Sequence, residues 1–264
     1  MSDPDLKAQI QAATIFEAFF VPALFGQWPA PMLDTARVHP GDHVLDVGCF
    51  TGVLAREALG RVGPSGRVVG IDRNPGMVAV AKQIAPDVTW QEGSPEALSF
   101  DDASFDVVAS AFGLPYFDRT PALREMWRVL KPGGRLITSV WDRLEDVPAY
   151  SILVALLQHK VGPRAADALR VPFSLGDPDR LKAIFHDAGI EAKLARRQGT
   201  VNYPSVRSWV LTDVTGWFPM VDVDVDKQMY EELIQEAEHA LHAFVQPNGT
   251  VVFPISVHIA LATR

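Results

Sequence analysis

The segment Val44-Leu45-Asp46-Val47-Gly48-Cys49-Phe50-Thr51-Gly52 constrains this chain more than any other. An apolar run that stops at a glycine loop and restarts as Val53-Leu54-Ala55-Arg56-Glu57-Ala58 reads as strand, tight turn and helix. A second apolar run, Val68-Val69-Gly70-Ile71, ends in Asp72. Glycines let a backbone pass close beneath a ligand with no Cβ in the way. A carboxylate closing the next strand is placed to accept both hydroxyls of a ribose. Together these features predict a site for a nucleoside cofactor.

Spacing narrows which one. A dinucleotide loop needs Gly-x-Gly-x-x-Gly to seat a pyrophosphate on helix N–H groups. Here Phe50 and Val53 stand at the second and third glycine positions, which disfavours a nicotinamide-dependent oxidoreductase. No Gly-Lys-Ser/Thr follows, so a triphosphate loop is absent too. The Asp-x-Gly-x-x-x-Gly arrangement resembles motif I of the class I S-adenosylmethionine-dependent methyltransferases, whose cofactor carries no phosphate.

The 264 residues, 48% hydrophobic, suffice for one domain with a full core. A net charge of −8, without any Lys/Arg-rich run, argues against DNA or RNA as substrate. The single cysteine, Cys49, rules out an intrachain disulfide and sits inside the glycine loop, where a small residue under the cofactor accounts for it better than a nucleophile. The mixed acidic start Met1-Ser2-Asp3-Pro4-Asp5 is unlike a signal peptide. No apolar run is expected to reach the roughly 20 residues that span a bilayer. A cytoplasmic protein is the expectation.

Apolar periodicity predicts two helices over about 5–37, with Pro22 opening the second and Trp28-Pro29-Ala30-Pro31 bending it. Then come strand 43–47, helix 52–60, strand 67–71, helix 75–84, strand 88–91, strand 105–111, helix 120–130 and strand 135–141. Such alternation predicts an α/β, doubly wound, mostly parallel sheet. Past Trp141, helices at about 148–160, 178–188, 205–217 and 227–245 surround a strand near 190–203, before a last strand at Thr250–Leu261. The expected organisation is a single domain over 1–264, with a helical lid from about 5–37 and from inserted helices within about 148–245.

Further segments are similar to the branch of class I methyltransferases that includes those of ubiquinone and menaquinone biosynthesis. Ser104-Phe105-Asp106-Val107-Val108 looks like the fourth strand, and Ala122 through Lys131-Pro132-Gly133-Gly134-Arg135-Leu136 like the helix, turn and fifth strand. Gly76-Met77 after Asp72, Phe16-Glu17 through Pro22, and Pro172 through Asp177 fit the same branch. The resemblance implies a Rossmann-like methyltransferase fold and S-adenosylmethionine as cofactor. Asp46 and the loop of Gly48, Cys49, Phe50 and Gly52 would then face the methionine end. Asp72 would take the ribose hydroxyls, with Arg73 and Met77 flanking ribose and adenine. Gly93, Ser94, Pro95 and Glu96 would border the adenine edge, and Ala111 and Phe112 would sit beside the sulfonium.

Two positions depart from the branch's pattern. Phe50 stands where glycine is usual, and Ser94 where an aspartate usually accepts from the adenine amino group. A neutral acceptor is weaker than a charged one. The departures leave open a second reading, a degenerate member with weak or no cofactor binding that acts as a partner protein.

Methyl transfer is an in-line displacement at a sulfonium carbon, so alignment supplies a large share of the acceleration. A base is needed only when the acceptor must lose a proton. The candidates are His159, on a lid helix, and Tyr116, beside Asp118 in the loop after the fourth strand. Phe16 and Phe20, from the aromatic set Phe16, Phe19, Phe20, Phe25 and Trp28, are candidates for contact with a small, partly apolar acceptor, as is Tyr116 in the loop after the fourth strand. His186 reads as solvent-facing, and His239 and His242 as a solvated helix face shared with Glu232, Glu236 and Glu238 rather than a metal site. Asp222-Val223-Asp224-Val225-Asp226 starts like a calcium loop. Lys227 takes the required glycine's place and Leu233 the distal glutamate's, so it reads as a turn with Asp226 capping the next helix. Metal is not expected; the oligomeric state is open, a homodimer being one arrangement.

Overall fold

The computed structural model describes residues 4–217, 223 and 225–264. Among the described residues, seven strands form one sheet: β1 (His43–Val47), β2 (Arg67–Asp72), β3 (Thr89–Glu92), β4 (Phe105–Ala111), β5 (Leu130–Trp141), β6 (Lys193–Tyr203) and β7 (Val251–Thr263). Their order is β3-β2-β1-β4-β5-β7-β6. The first five are parallel, and β7 runs antiparallel to both β5 and β6. Strands covered on both faces read as continuous apolar runs, which is why Val44, Leu45 and Val47, or Val107, Val108 and Ala109, are fully buried. The chain leaves β1 toward β2 on one side and later returns to β4 on the other. That reversal opens a crevice at the carboxyl ends of β1 and β4, where open α/β sheets hold ligands.

The helices are α1 (Pro4–Ile15), α2 (Pro29–Thr35), α3 (Val53–Val62), α4 (Pro75–Ile84), α5 (Arg119–Val129), α6 (Pro148–Lys160), α7 (Pro163–Arg170), α8 (Pro178–Asp187), α9 (Val206–Trp217) and α10 (Lys227–Ala240). Asn74 caps α4 by accepting from the N–H groups of Gly76 and Met77, and Asp226 caps α10 by accepting from Met229 N. Asp222 and Asp224 lie outside the described residues.

Several expectations need correction. Pro22 does not open a helix; it lies inside a π-helical segment, Phe16–Phe25, that continues α1. Proline supplies no N–H, and its ring crowds the carbonyl four residues back. The wider turn relieves that crowding, and Gly26 N donates five residues back to Val21 O at 2.7 Å. The run Asp5–Phe25 is therefore one helix of 21 residues, long and apolar enough to cross a membrane, against the expectation that no such run exists. Phe16, Phe20, Leu24 and Phe25 are nonetheless buried against the rest of the chain. The fifth strand begins at Leu130, its register shifting between Phe105 and Val107 to absorb the Gly133-Gly134 turn. Helix α7 was not foreseen, and the predicted helix 227–245 stops at Ala240 before a single 3-10 turn, His242–Phe244.

Several contacts tie the N-terminal helices to the rest of the chain, including Arg61 of α3 with Asp34 and the Ala30 carbonyl of α2. A Cβ on Gly76 would fall 2.4 Å from the Gln9 backbone, so α1 packs on α4 with the two backbones in close approach at a glycine. Glu17 pairs with Arg56 of α3 at 2.8 Å. Gln27 exchanges two hydrogen bonds with the Thr200 backbone of β6, at 2.8 and 2.9 Å.

Candidate functional site

The glycine loop after β1 hangs from the end of β2: the N–H groups of Gly48 and Cys49 both donate to Ile71 O, at 2.8 and 3.0 Å. Gly48, Phe50 and Gly52 all take left-handed backbone, with φ of 67°, 50° and 86°. The two glycines are required by packing as well as by φ. A Cβ on Gly48 would lie 2.6 Å from the Phe117 ring, and one on Gly52 2.0 Å from Trp90. Phe50 adopts the same region without glycine's freedom, as does Phe112 (φ 60°) at the end of β4.

Asp72 closes β2 and binds the loop to it. Its Oδ2 accepts from Phe50 N at 2.9 Å and its Oδ1 from Asn74 N at 2.8 Å. Burial raises its carboxyl above the ordinary range, opposed by these backbone bonds. Each oxygen keeps a second lone pair, and Asp72 lines the main cavity. Asp46, on β1, is 1% exposed. Its Oδ2 accepts from Ala55 N at 3.1 Å, while no described residue donates to its Oδ1. Burial pushes this carboxyl up to about 7, with the Asp72 charge adding to the effect. Desolvation raises the Cys49 thiol well above its ordinary value, so it is a neutral packing group rather than a nucleophile.

Two cavities meet at this loop. The larger, about 720 Å³, reaches from Asp72, Arg73, Asn74, Met77 and Pro95 to an apolar wall that includes Ile15, Phe16, Phe20, Val214, Val225 and Tyr230. The smaller, about 10 Å³, is bounded by Asp46, Gly48, Cys49 and Phe50 on one side, and by Ala111, Phe112, Phe16 and Phe25 on the other. Gly52, Gly93 and Ser94 line neither: Gly52 caps α3, Gly93 N donates to Asp72 O at 3.0 Å, and Ser94 donates its hydroxyl to Glu96. Glu96 also accepts from Arg73 at 2.8 Å and from Asp118 N at 2.9 Å, joining the loops after β2, β3 and β4. Burial works to raise the Glu96 carboxyl, but the Ser94 and Asp118 hydrogen bonds and the Arg73 charge outweigh it and hold it below the usual range.

Of the acceptor-side candidates, Phe16, Phe20 and Tyr116 line the large cavity. Desolvation pushes the Tyr116 hydroxyl well above its ordinary value, which suits a neutral donor and not a phenolate base. His159 is exposed on α6 and does not reach the cavity. His186, His239 and His242 are exposed as well. Among the described residues no three His, Cys, Asp or Glu side chains form a group fit for a metal. Sequence reasoning missed the contributions of α1 (Gln9, Ala12) and of α9 to α10 (Val214, Val225, Tyr230), which lie far along the chain with no motif to mark them. It also missed Phe117, whose ring fills the space over Gly48.

The geometry is matched by what the chain resembles. A methyltransferase domain family matches residues 44–134. The ubiquinone/menaquinone biosynthesis C-methyltransferase UbiE of Ectopseudomonas mendocina is 36% identical over 181 residues, 62% of this chain and 71% of that protein. The chain belongs to the S-adenosylmethionine-dependent methyltransferases related to UbiE. UbiE of Laribacter hongkongensis is likewise 36% identical, over 202 residues, covering 70% and 78% of the two chains. A putative methyltransferase from Bacillus halodurans shares the fold, with a TM-score of 0.61 over 90% of this methyltransferase and 98% of that chain at 18% identity. The protein is an enzyme, and S-adenosylmethionine is its cofactor. The residues present fit that group: Asp46 Oδ1 is a buried acceptor awaiting a donor, and Asp72 offers free lone pairs to the cavity.

Proposed function

We propose that this methyltransferase acts on a small, largely uncharged and apolar molecule, held beside the cofactor in the cavity of about 720 Å³. The observation that carries the reading is the wall of that cavity. Opposite Asp72 and Arg73 it is built from Ile15, Phe16, Phe20, Val214, Val225 and Tyr230, and among the described residues no further charged side chain lines it. Ligand pockets of about 300–1,000 Å³ are common for small molecules, and apolar lining selects apolar ligands. The net charge of −8 speaks against a polyanionic substrate. The UbiE relatives, named for ubiquinone and menaquinone biosynthesis, favour a quinone-like ring as acceptor.

In this reading the cofactor supplies an activated methyl group on a sulfonium. Asp72 accepts the ribose hydroxyls, Arg73 and Met77 flank ribose and adenine, and Pro95 borders the adenine edge, with Gly93 and Ser94 supporting it from behind. Asp46 and the backbone of Gly48, Cys49 and Phe50 face the amino-acid end, with Gly52 holding the loop from behind, and Ala111 and Phe112 face the sulfonium. The helices Pro4–Thr35 and those after β5 act as a lid within one domain and exclude water from the reacting centre. Tyr116 donates a hydrogen bond to the acceptor and leaves alignment to do the chemical work. The enzyme is taken to be cytoplasmic.

The test is transfer of a labelled methyl group from S-adenosylmethionine to a panel of hydroquinones, phenols, phosphorylated small molecules and RNA. Transfer to neutral apolar members, abolished by Phe20→Arg, is expected. Transfer confined to phosphorylated compounds or RNA would contradict the reading.

A further inference from the structure

Phe16, Gly48 and Phe50 border both cavities, so the wall between the two is built largely from two aromatic rings. The Phe16 and Phe50 rings are stacked, 5.2 Å between centroids and 13° between planes. Phe25 backs them, 5.1 Å from Phe16 and 6.3 Å from Phe50, and meets Phe112 edge-on at 5.2 Å. Phe112 in turn stacks on Trp141 at 4.1 Å. On the Asp72 side there is room for a ligand; on the Asp46 side about 10 Å³ remains, roughly what one water needs. Yet that small chamber holds the carboxylate whose Oδ1 no described residue satisfies.

The rings are held where they do not rest easily. Phe50 (φ 50°) and Phe112 (φ 60°) adopt left-handed backbone, which a bulky residue rarely does because its Cβ crowds the following carbonyl. Phe16 opens the π-helical segment, a strained form often found at functional sites. Strain of this kind persists only where surrounding packing enforces it.

Resting on the cofactor placement given above, we infer that Phe16 and Phe50 form an aromatic gate that decides which part of the cofactor can enter. The nucleoside end has its chamber ready. The amino-acid tail reaches Asp46 only when the stacked pair separates, and because Phe16 belongs to the N-terminal helix, loading of the tail displaces that helix. The gate makes the protein selective between ligands that share a nucleoside but differ in the tail.

Calorimetry with two probes tests this: S-adenosylhomocysteine, which has the tail, and 5′-methylthioadenosine, which has the same nucleoside and thioether without it. Phe50→Gly and Phe50→Ala should each tighten S-adenosylhomocysteine binding at least tenfold and leave 5′-methylthioadenosine within twofold. Phe16→Leu keeps apolar bulk but breaks the stack, and should shift in the same direction by a smaller factor. Thermal unfolding of each variant identifies any that fails to fold, in which case Phe16→Leu carries the test. No gain for S-adenosylhomocysteine, or an equal gain for both probes, would overturn the gate while leaving the cofactor placement standing. If neither probe binds the parent or any variant, the placement falls and the gate falls with it.

Discussion

The backbone N–H of Phe50 donates to Asp72 Oδ2 at 2.9 Å, so the glycine loop and the carboxylate that closes the next strand form one unit. Asp72 Oδ1 does the same for Asn74, which caps α4. One buried carboxylate thus fixes the loop after β1 and the start of α4 before any ligand arrives. Preorganisation of this kind lowers the ordering cost that binding would otherwise incur.

Cofactor affinity should depend on pH through Asp46. Its carboxyl titrates near 7 in the unliganded protein because it is buried. A cationic ammonium facing it favours the ionised form, so binding below pH 7 releases a proton. Affinity should rise about tenfold from pH 6 to pH 8 and level off above, one pKa unit being worth about 1.4 kcal/mol. Asp46→Asn should flatten the profile in calorimetric titrations. The stability effect has the opposite sense. A folded-state value raised above the unfolded one contributes stability below about pH 4 that is lost as pH climbs through 7. Asp46→Asn should therefore raise the melting temperature of the unliganded protein at pH 8.

Gly52→Ala should destabilise the fold by about 2–4 kcal/mol, since the new Cβ meets the Trp90 ring at 2.0 Å on a backbone with φ 86°. Urea unfolding of this variant, of Trp90→Leu and of the pair measures the coupling. The double variant should recover part of the loss, the remainder being the backbone strain.

Glu96 is expected to matter for binding more than for stability. It joins Ser94, Arg73 and the Asp118 backbone across three loops that border the cavity. Glu96→Ala should weaken S-adenosylhomocysteine binding about five- to tenfold, at about 1.4 kcal/mol per tenfold. The melting temperature should move by no more than a few degrees. Because its carboxyl is held below the usual range, this contribution should persist under mildly acidic conditions.

The far side of the sheet offers a contrast. His258 Nε2 lies 3.0 Å from Asp142 Oδ1 and 3.1 Å from Gly176 O, and Arg196 Nε donates to Asp142 Oδ2 at 2.5 Å. This cluster, buried at Asp142 and His258 and reached by Arg196 from the exposed side, ties β5, β6, β7 and the Gly176 loop together, away from both cavities. His258→Ala should cost about 2–3 kcal/mol of stability by denaturant titration, because it strips a partner from a nearly buried carboxylate. Cofactor affinity should stay within twofold.

The central architecture was legible because β1, β2 and β4 are buried on both faces and read as unbroken apolar runs ended by glycine or aspartate. The bounds of β1, β4, α4 and α6 match the expectation residue for residue. The π-helical segment was not legible, since a proline after an apolar stretch reads equally well as a helix start. Nor was the placement of β7 between β5 and β6, a pairing chosen by long-range register such as Trp141 with Val257 and Arg197 with Val257. In the site, Asp46, Gly48 and Asp72 were marked by spacing. The partition between the cavities was not, because Phe16, Phe25, Phe50 and Phe112 come from separate elements and their stacking exists only in the folded chain. Ser94 could be read as a departure, but its bond to Glu96 could not.

The most direct test of the whole account is a calorimetric titration of the parent protein and Asp72→Ala with S-adenosylhomocysteine, with thermal unfolding to verify that the variant is folded. The account predicts one site of micromolar affinity in the parent and a loss of at least about a hundredfold, roughly 2.7 kcal/mol, in the variant. Equal affinity in the two proteins would contradict the placement of the cofactor at Asp72.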